Sequence, residues 1–301
     1  MSVSVIIVTI KKKNYLKSCL GSLLAQSKPP LEVIVIDNAP GSDYSQGISG
    51  QYPLVRIIKN PENLFYTGGM NKGIASSKGE FILCLNDDTV LDQDFICQAL
   101  KGFSVARNIG MVSGKILRQD KKTLDSTGLF LSLWRTARER GYGQLDSGQF
   151  QKSGFVFGVS GAAAFYRRQM LEEIKESGDY FDSRFKMFYE DLDLCWRANN
   201  RGWRGYYIPS ALIYHVRGGS FRPDSGIDKP IGRKYLDDRL HCGLIKNRYL
   251  TILKNERFPG FCLCFIPIFI YDICAWCYIL FFHRKVIKLL LVQISNCRKQ
   301  S

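Results

Sequence analysis

The residues SVSVIIV (2–8) form a short β-branched run without charge. A run of this kind is typical of a strand that is buried on both faces of a parallel sheet. NYLKSCLGSLLAQ (14–26) follows and places its leucines on one helical face, and the apolar runs 33–36 and 55–58 come next. This order of strand, helix, strand and strand predicts a Rossmann-like α/β sheet.

A further buried strand, predicted over residues 81–85, ends in a polar cluster. Asn86, Asp87, Asp88 and Thr89 follow it directly. Open α/β sheets bind ligands outside the carboxyl ends of their strands, and two adjacent carboxylates can hold a hard divalent cation against a diphosphate. The alternative is a solvated turn in which Asp88 or Thr89 caps the next helix. The residues alone leave both interpretations open.

A second acidic group opens the helix predicted near residues 190–201. Glu190 and Asp191 stand in its first turn, where the helix dipole favours carboxylates. Good charge placement alone explains them, as it explains the i,i+4 pair of Asp193 and Arg197. Aromatic residues flank the acids, however, so we expect at least one carboxylate to be partly desolvated and able to act as a general base. These residues are Phe185, Phe188, Tyr189 and Trp196.

Two further features admit two interpretations each. His215 ends a strand-like segment; alone it is typical of a hydrogen-bonded structural histidine, but beside a metal and diphosphate it becomes a candidate ligand. The run NLFYTGGMNKG (63–73) does not fit the spacing G-x-G-x-x-G, so it lacks the dinucleotide fingerprint. It is either a loop that enters a helix or a place where backbone amides and Asn71 approach a nucleotide.

The composition excludes several classes of protein. With 301 residues, 46% hydrophobic and 23% charged, the chain is neither disordered nor a disulfide miniprotein. Its ten cysteines are scattered through apolar runs, which predicts buried reduced thiols. The N-terminus has its apolar run before its positive run, the reverse of a signal peptide, which predicts a chain that faces the cytosol.

The net charge of +15 is concentrated near the C-terminus. Residues 258–282 form an apolar, aromatic stretch that contains a single charge, Asp272. Pro259, Pro267 and Asp272 argue against one spanning helix, so we predict an interfacial helical hairpin, with residues 258–301 attached to an anionic membrane surface. A buried core or dimer helix, and with it a homo-oligomer, stays open. A nucleic-acid-binding protein is disfavoured because the basic residues bracket an apolar tail instead of alternating with exposed aromatics.

Taken in order, these motifs resemble family 2 inverting glycosyltransferases, most closely their rhamnosyltransferase-like bacterial branch. The resemblance covers about residues 3–220 and rests on an ordered set: IIVTIKKKNYLKSCLGSLLAQ, VIVIDNA, NLFYTGGMNKG, LNDDT, VSGAAAFYRR, FYEDLDLCWRANNRGW and IYHVRGGS. It implies a GT-A fold, a Rossmann-like mixed α/β sheet flanked by helices, with a C-terminal apolar and basic helical appendage.

The resemblance also implies a domain division. Residues 1–220 form the catalytic domain, with a nucleotide-sugar half over about 1–115 and an acceptor half over about 116–220. Residues 221–301 lie beyond the resemblance, and their apolar and basic residues predict a helical, membrane-associating region.

The resemblance assigns roles to individual residues. The donor nucleotide sugar is contacted by Thr9, Asp37, Asn63, Gly68, Asn71 and Asp87. Asp88, with His215, holds the cofactor, Mg²⁺ or Mn²⁺. Asp191 is the catalytic base, with Glu190 beside it. Position alone, in the polar stretch 118–154, makes Trp134 and Arg135 candidates for acceptor contacts.

The expected activity is a metal-dependent single displacement that inverts the anomeric carbon. The preferred donor is dTDP-L-rhamnose, and the acceptor is a glycan or a polyprenyl-linked glycan of cell-surface polysaccharide synthesis. Transfer of a UDP-linked hexose or galactofuranose, or a non-catalytic membrane-bound scaffold, are the alternatives. The expected location is the cytoplasmic face of the inner membrane, as a peripheral or monotopic protein.

Overall fold

A computed structural model of the chain describes residues 1–10, 15–41, 48, 51, 52, 54–216 and 237–298, the last seven by their backbone only. The chain divides into two compact units. The first comprises residues 1–130 and 139–220, and the second comprises residues 131–138 and 221–301. The predicted boundary after residue 220 falls in the segment 217–236, outside the described residues.

Strands and helices alternate through the first unit. In chain order they are β1 (Val3–Thr9), α1 (Tyr15–Leu24), β2 (Glu32–Asp37), β3 (Val55–Lys59), α2 (Phe65–Ala75), β4 (Phe81–Asn86), β5 (Thr89–Leu91), α3 (Phe95–Gly102), β6 (Ile109–Arg118), β7 (Leu124–Ser126), β8 (Leu129–Leu131), β9 (Ala137–Glu139), β10 (Gly154–Val156), β11 (Ala163–Arg167), α4 (Arg168–Glu173), a 3₁₀ turn (Ser183–Phe185), α5 (Glu190–Asn200) and β12 (Arg204–His215).

The strands form one mixed sheet in the order β10-β12-β6-β11-β4-β1-β2-β3. β1 is parallel to β2 and β4, whereas β11 runs antiparallel between β4 and β6. β5 pairs with β12, β7 pairs with β6, and β8 pairs with β9 in a separate ribbon. The mixed α/β sheet that the sequence predicts is therefore confirmed.

Alternation along β1 explains why helices cover both faces of the sheet. Val5 and Ile7 belong to the apolar cluster that includes α1, and Ile6 belongs to the cluster that includes α2. α2 packs closely because a Cβ at Gly73 would stand 2.2 Å from Cγ2 of Ile6. A larger residue would push α2 and β1 apart, so Gly73 allows this close packing, and the run 63–73 enters the helix at Phe65.

The strand register brings the ends of the central strands together. Thr9 at the end of β1 pairs with Asp37 at the end of β2, and Val8 pairs with Asn86 at the end of β4. Their carboxyl ends therefore form one edge, where polar side chains collect.

The second unit contains three helices, α6 (Asp238–Asn255), α7 (Phe258–Phe282) and α8 (Lys285–Arg298). The prediction of a hairpin within 258–282 is wrong, since α7 is one continuous helix of 25 residues. Pro259 lies in its first turn, where no backbone donor is needed. Asp272 forms an ion pair with Arg248 of α6, 2.7 Å between Oδ1 and Nε. α7 is long and apolar enough to cross a membrane by length and composition alone.

The cysteines follow the prediction only in part. All nine described cysteines are free thiols, and those of the sheet and its helices are buried, except Cys97 of α3, which is partly buried. Cys262, Cys274 and Cys277 are exposed instead, because they lie on an uncovered face of α7.

Candidate active site

A buried chain of polar contacts lies where β4 and β12 end. Oδ1 of Asp88 stands 3.1 Å from Nε2 of His215, and Nδ1 of His215 stands 2.8 Å from Oδ2 of Asp125 on β7. Thr9 donates its hydroxyl to Oδ2 of Asp87 at 2.6 Å. Strand pairing places these groups, because Thr89 of β5 pairs with His215 of β12. The structure thus brings together four residues that the sequence predicts for the site, and it adds Asp125.

The electrostatics of this chain favour bound positive charge. Burial lowers the pKa of His215, but its hydrogen bonds to Asp125 and Asp88 outweigh burial and raise the pKa to about 9. Burial raises the pKa of Asp87 to about 6, and the neighbouring Asp88 adds to this against the hydrogen bond from Thr9. Because these carboxylates are buried and poorly hydrated, a cation or a proton between them stabilises them.

The donor set fits a divalent cation of the Mg²⁺ or Mn²⁺ type. Among the described residues no cluster of three or more His, Cys, Asp or Glu side chains is arranged to enclose a metal. Mg²⁺, however, is commonly bound through one or two protein ligands and completed by water and phosphate oxygens. Asp88 and His215 would offer such a pair once a cation displaces the proton of Nε2, and a metal-binding histidine typically donates its other ring nitrogen to a carboxylate, as His215 does to Asp125.

Asp37 presents an orphaned acceptor at the same edge of the sheet. Its side chain is buried, and Oδ1 accepts the backbone N–H of Ala39 at 3.0 Å. Oδ2 is buried and has no hydrogen-bond partner among the described residues. Because an unsatisfied buried oxygen is costly, this atom fits a ligand that brings an N–H or O–H donor.

The other residues predicted to line the nucleoside pocket have local structural contacts. Asn63 accepts the N–H of Phe65 at 2.8 Å before α2 begins. Gly68 lies within α2, where a Cβ would stand 3.0 Å from Cβ of Leu64. Both ends of the Asn71 amide bond the backbone of Phe181, with Nδ2 donating to O at 2.7 Å and Oδ1 accepting N–H at 2.8 Å. Asn71 therefore ties α2 to the segment before α5.

The segment before α5 has an unusual backbone. Lys186, Phe188 and Tyr189 all have positive φ, at 61°, 68° and 69°. Non-glycine residues in this region are strained, and such strain clusters at functional sites. The turn delivers Asp191 into the first turn of α5, where Oδ1 accepts its neighbour's backbone N–H at 2.7 Å and Oδ2 accepts the N–H of Gly161 at 3.2 Å.

The two acids at the start of α5 differ in environment. Burial, together with the charge of Asp191, raises the pKa of Glu190 to about 8. Oε2 of Glu190 is buried and finds no hydrogen-bond partner in the described part of the chain. Glu190 therefore holds a proton at neutral pH, and Asp191 is the member of the pair that can accept one.

Glu139 at the end of β9 is a site residue that the sequence did not reveal. Its carboxylate accepts hydrogen bonds from the hydroxyls of Ser126 and Ser160, the latter at 2.8 Å. Burial, together with the charges of Asp191 and Asp125, raises its pKa to about 7 against the hydrogen bonds from Ser126 and Ser160. Ser126 directly follows Asp125, and Ser160 directly precedes Gly161, whose N–H is donated to Asp191, so Glu139 links the histidine chain to the base.

The two candidates for acceptor contacts lie in the second unit. Trp134 is 39% exposed. The guanidinium of Arg135 forms an ion pair with Glu256 and donates to the carbonyl of Gly260 at 3.3 Å. Arg135 is therefore already bound within its own unit.

Residues 4–175, more than half of the chain, match the family described as Glycosyl transferase family 2. The chain belongs to this family. Its relatives include an N-acetylglucosaminyl-diphospho-decaprenol L-rhamnosyltransferase of Mycobacterium tuberculosis, 25% identical over 72% of this chain and 76% of the relative. A poly-β-1,6-N-acetyl-D-glucosamine synthase of Staphylococcus aureus is 21% identical over 87% of this chain and 60% of the relative. The chain spans only a quarter of another relative, an uncharacterised Sinorhizobium fredii protein that is also 25% identical.

Solved structures show the same fold. GalNAc-T7 with UDP, GalNAc and Mn²⁺ superposes with a TM-score of 0.62 at 12% identity, covering 84% of this chain and 47% of that one. S. aureus TarS with UDP-GlcNAc gives 0.59 at 16% identity, over 85% of this chain and 68% of that one. The mannosyltransferase PcManGT of Pyrobaculum calidifontis, with GDP-Man and Mn²⁺, gives 0.57 at 14% identity, over 98% and 79%. The family 2 protein therefore has the GT-A fold.

Proposed function

We propose that the protein is a metal-dependent inverting glycosyltransferase that moves a sugar from a nucleotide donor to a glycan or lipid-linked acceptor. The observation that carries this proposal is the arrangement at one side of the sheet. A buried Asp88–His215–Asp125 chain fits a cation and a diphosphate, and hydrogen bonds of Glu139 to Ser126 and Ser160 link that chain to the segment that holds Asp191. Family membership supports the reaction class.

Asp191 takes the proton of the acceptor hydroxyl as that oxygen attacks the anomeric carbon. Its two backbone hydrogen bonds fix the carboxylate, and neither consumes all of its lone pairs. A double displacement requires a carboxylate nucleophile beside the base, and Glu190, which holds a proton at neutral pH, is a poor one. The proposal is therefore a single displacement, which inverts the anomeric configuration.

Asp88 and His215 would hold the divalent cation, with Asp87 beside them. The cation, when bound, neutralises charge that develops on the departing nucleoside diphosphate. Asp125 orients the imidazole through Nδ1, so Nε2 faces Asp88. Thr9 keeps Asp87 in place through its hydroxyl.

The nucleoside is bound at the ends of β1 and β2. Oδ2 of Asp37 accepts a donor from the base or the ribose, which satisfies the orphaned oxygen. Asn63 and Gly68 lie at the start of α2, beyond this edge, and contribute the wall of the pocket. We leave Asn71 out because its amide already bonds Phe181, and we assign no acceptor role to Arg135.

The proposed donor is dTDP-L-rhamnose, and the acceptor is a polyprenyl-linked glycan of cell-surface polysaccharide synthesis. The mycobacterial relative, whose name gives a rhamnosyl transfer to a decaprenol-linked sugar, supports this choice. UDP-linked hexose or galactofuranose is the alternative donor. A lipid-linked acceptor agrees with attachment to the cytoplasmic face of the inner membrane through α7, whose apolar side chains are widely exposed.

The test is the release of nucleoside diphosphate from dTDP-, UDP- and GDP-sugars with a lipid-linked acceptor, with and without Mg²⁺ or Mn²⁺. We expect metal-dependent release from one donor. Asp191→Asn should lower the rate about 10²- to 10⁴-fold because it removes the general base. Asp94→Asn, which removes an exposed carboxylate of the same unit, is the matched control. If no sugar nucleotide binds or turns over, the non-catalytic scaffold replaces this proposal.

A further inference from the structure

The surface of α7 has two unlike faces. On one face Cys264, Ile268 and Ile279 are buried, and Asp272 is paired with Arg248. The other face, here called the apolar stripe, is exposed along the whole helix and carries no charge. It consists of Cys262, Ile266, Phe269, Ile270, Ile273, Cys277, Leu280 and Phe281. Ile266 is 69% exposed and Phe281 72% exposed, and a continuous apolar surface of this length marks an interaction site.

The covered face of α7 rests on α6, which runs antiparallel to it. Contacts at two levels fix this direction. Arg248 Nε to Asp272 Oδ1 at 2.7 Å and Trp276 Nε1 to Tyr249 Oη at 2.8 Å join the middles of the helices, whereas Asp238 Oδ1 to His283 Nδ1 at 2.8 Å joins the start of α6 to the residue after α7. Later residues of α7 therefore lie beside earlier residues of α6.

α6 is too polar to share a bilayer core with α7. Its 18 residues include five that carry formal charge: Asp238, Arg239, Lys246, Arg248 and Lys254. If α7 crossed a membrane, α6 would be carried to the same depth, where each charge is costly. The charges of α6 therefore prevent α7 from crossing the bilayer, although α7 is long enough to do so.

Both ends of α7 are basic. Arg257 precedes it, and Arg284 and Lys285 follow it. Val286 of α8 packs with Cys242 of α6 and Ile279 of α7, so the chain after α7 returns to the first turns of α6. Because positive residues remain on the cytoplasmic side, both ends of α7 belong on that side.

A basic pocket lies at the end of this bundle. It has a volume of about 500 Å³ and is lined by Asp237, Asp238, Arg239, Lys285, Lys288 and Leu289. Its acids are engaged: Asp237 caps α6 by accepting the N–H of Leu240 at 2.8 Å, and Asp238 holds His283. Its three cations have no carboxylate partner among the residues that the structure describes.

We infer that α7 lies in one leaflet of an anionic membrane, with the apolar stripe among the acyl chains and the basic pocket on a lipid phosphate. This inference rests on the membrane attachment in the proposed function and specifies its geometry. A second copy of the chain fits the stripe less well. In either orientation it would oppose the cations at the ends of one α7 to those of the other.

The topology is tested on the full chain with a C-terminal epitope, expressed in a bacterial host. In inverted membrane vesicles the cytoplasmic face points outward, so added trypsin should remove the epitope. In intact spheroplasts the epitope should be protected. The reverse pattern means that α7 spans the bilayer and overturns the inference.

The lipid phosphate is tested by sedimentation of the purified full chain with vesicles, without any sugar nucleotide. Each cation near an anionic surface contributes about 1 kcal/mol, so the triple variant Arg239→Gln/Lys285→Gln/Lys288→Gln should bind phosphatidylglycerol-containing vesicles about a hundredfold more weakly. The matched control, Arg107→Gln/Lys17→Gln/Lys101→Gln, removes the same charge from exposed positions of the first unit and should bind like the wild type.

Other outcomes contradict the inference. Equal loss in both triple variants would mean that net charge, and not the pocket, drives binding. Equal binding to pure phosphatidylcholine, whose phosphate is neutralised by its own choline cation, would mean that the pocket does not select an anionic headgroup. A stable dimer in solution that does not bind vesicles would mean that the apolar stripe is an interface between two copies of the chain. Because these measurements need neither donor nor acceptor, they fail independently of the transferase assay.

Discussion

Charged side chains are buried and paired at the edge of the sheet, whereas the exposed face of α7 carries no charge. At the edge, charged groups are gathered and buried, and each is held by another: Asp88 by His215, and His215 by Asp125. In α7 the single charge is turned inward to Arg248, and the outward face is left entirely apolar. Buried charge indicates chemistry that needs a fixed electrostatic environment, whereas exposed apolar surface indicates a partner that removes it from water. The two regions should therefore respond to substitution independently.

The largest expected effect follows the loss of the proposed metal ligand. Asp88→Asn should lower the rate of nucleoside diphosphate release by about 10³-fold, because charge stabilisation in the transition state is commonly the largest catalytic contribution. Its binding to anionic vesicles should equal that of the wild type. A variant that also leaves the vesicles would show that the two regions are coupled and would break the comparison.

The next largest effect is a loss of stability when Asp272, the only charged residue of α7, is substituted. Asp272→Asn leaves Arg248, only 5% exposed, without its carboxylate, and should destabilise the second unit by about 3 kcal/mol. The double variant Asp272→Leu/Arg248→Met should recover much of that loss, because it removes both charges together. Chemical denaturation in detergent measures both. Equal destabilisation by the single and double variants would mean that the pair does not act as a unit.

A smaller effect is expected for the support of His215. Asp125→Asn keeps the shape of the side chain but weakens the hydrogen bond to Nδ1 of His215. Loss of a group that orients a metal-binding histidine typically lowers metal affinity or activity about 10- to 100-fold. The readout is the Mn²⁺ concentration that gives half-maximal activity. Asp120→Asn, at an exposed turn, is the control. An unchanged metal requirement would remove Asp125 from the site.

The smallest effect is a dependence of stability on pH. The pKa of Glu139 is about 7 in the folded chain, above its ordinary value of 4.5, so the folded state binds the proton more tightly. The stability contributed by this proton is fully present below about pH 4.5 and is lost as the pH rises through 7. In Glu139→Gln the midpoint temperature of unfolding should therefore decrease less between pH 4.5 and pH 7 than in the wild type. Glu80→Gln, at an exposed carboxyl, is the control, and an unchanged slope in Glu139→Gln would contradict the assignment.

Some of this architecture is readable from local sequence. The alternation in Val5, Ile6 and Ile7 and the polar residues that follow each apolar run are properties of neighbouring positions, so they predict the strands and the functional edge. Asp125 and Glu139 carry no such signal. They reach the site only because β7 and β9 fold back beside it, and that return depends on contacts that are distant in sequence.

The prediction for α7 failed for a related reason. Pro259, Pro267 and Asp272 each disfavour a long apolar helix when they are judged singly. The first lies where a helix tolerates proline, and the last is compensated by Arg248 from another helix. A local rule cannot include a partner that stands 24 positions away.

The thiols of the apolar stripe bear on how the protein can be handled. Cys262 and Cys277 point away from the rest of the second unit, and Cys274 is exposed beside them. Embedded among acyl chains, such thiols are shielded from water-soluble oxidants and alkylating reagents. Once detergent or buffer replaces the lipid, the same side chains meet those of other molecules, and air oxidation links them into covalent multimers. A ladder of reducible multimers after extraction is thus an expected artefact of purification, and a reducing agent belongs in every buffer from cell lysis onward.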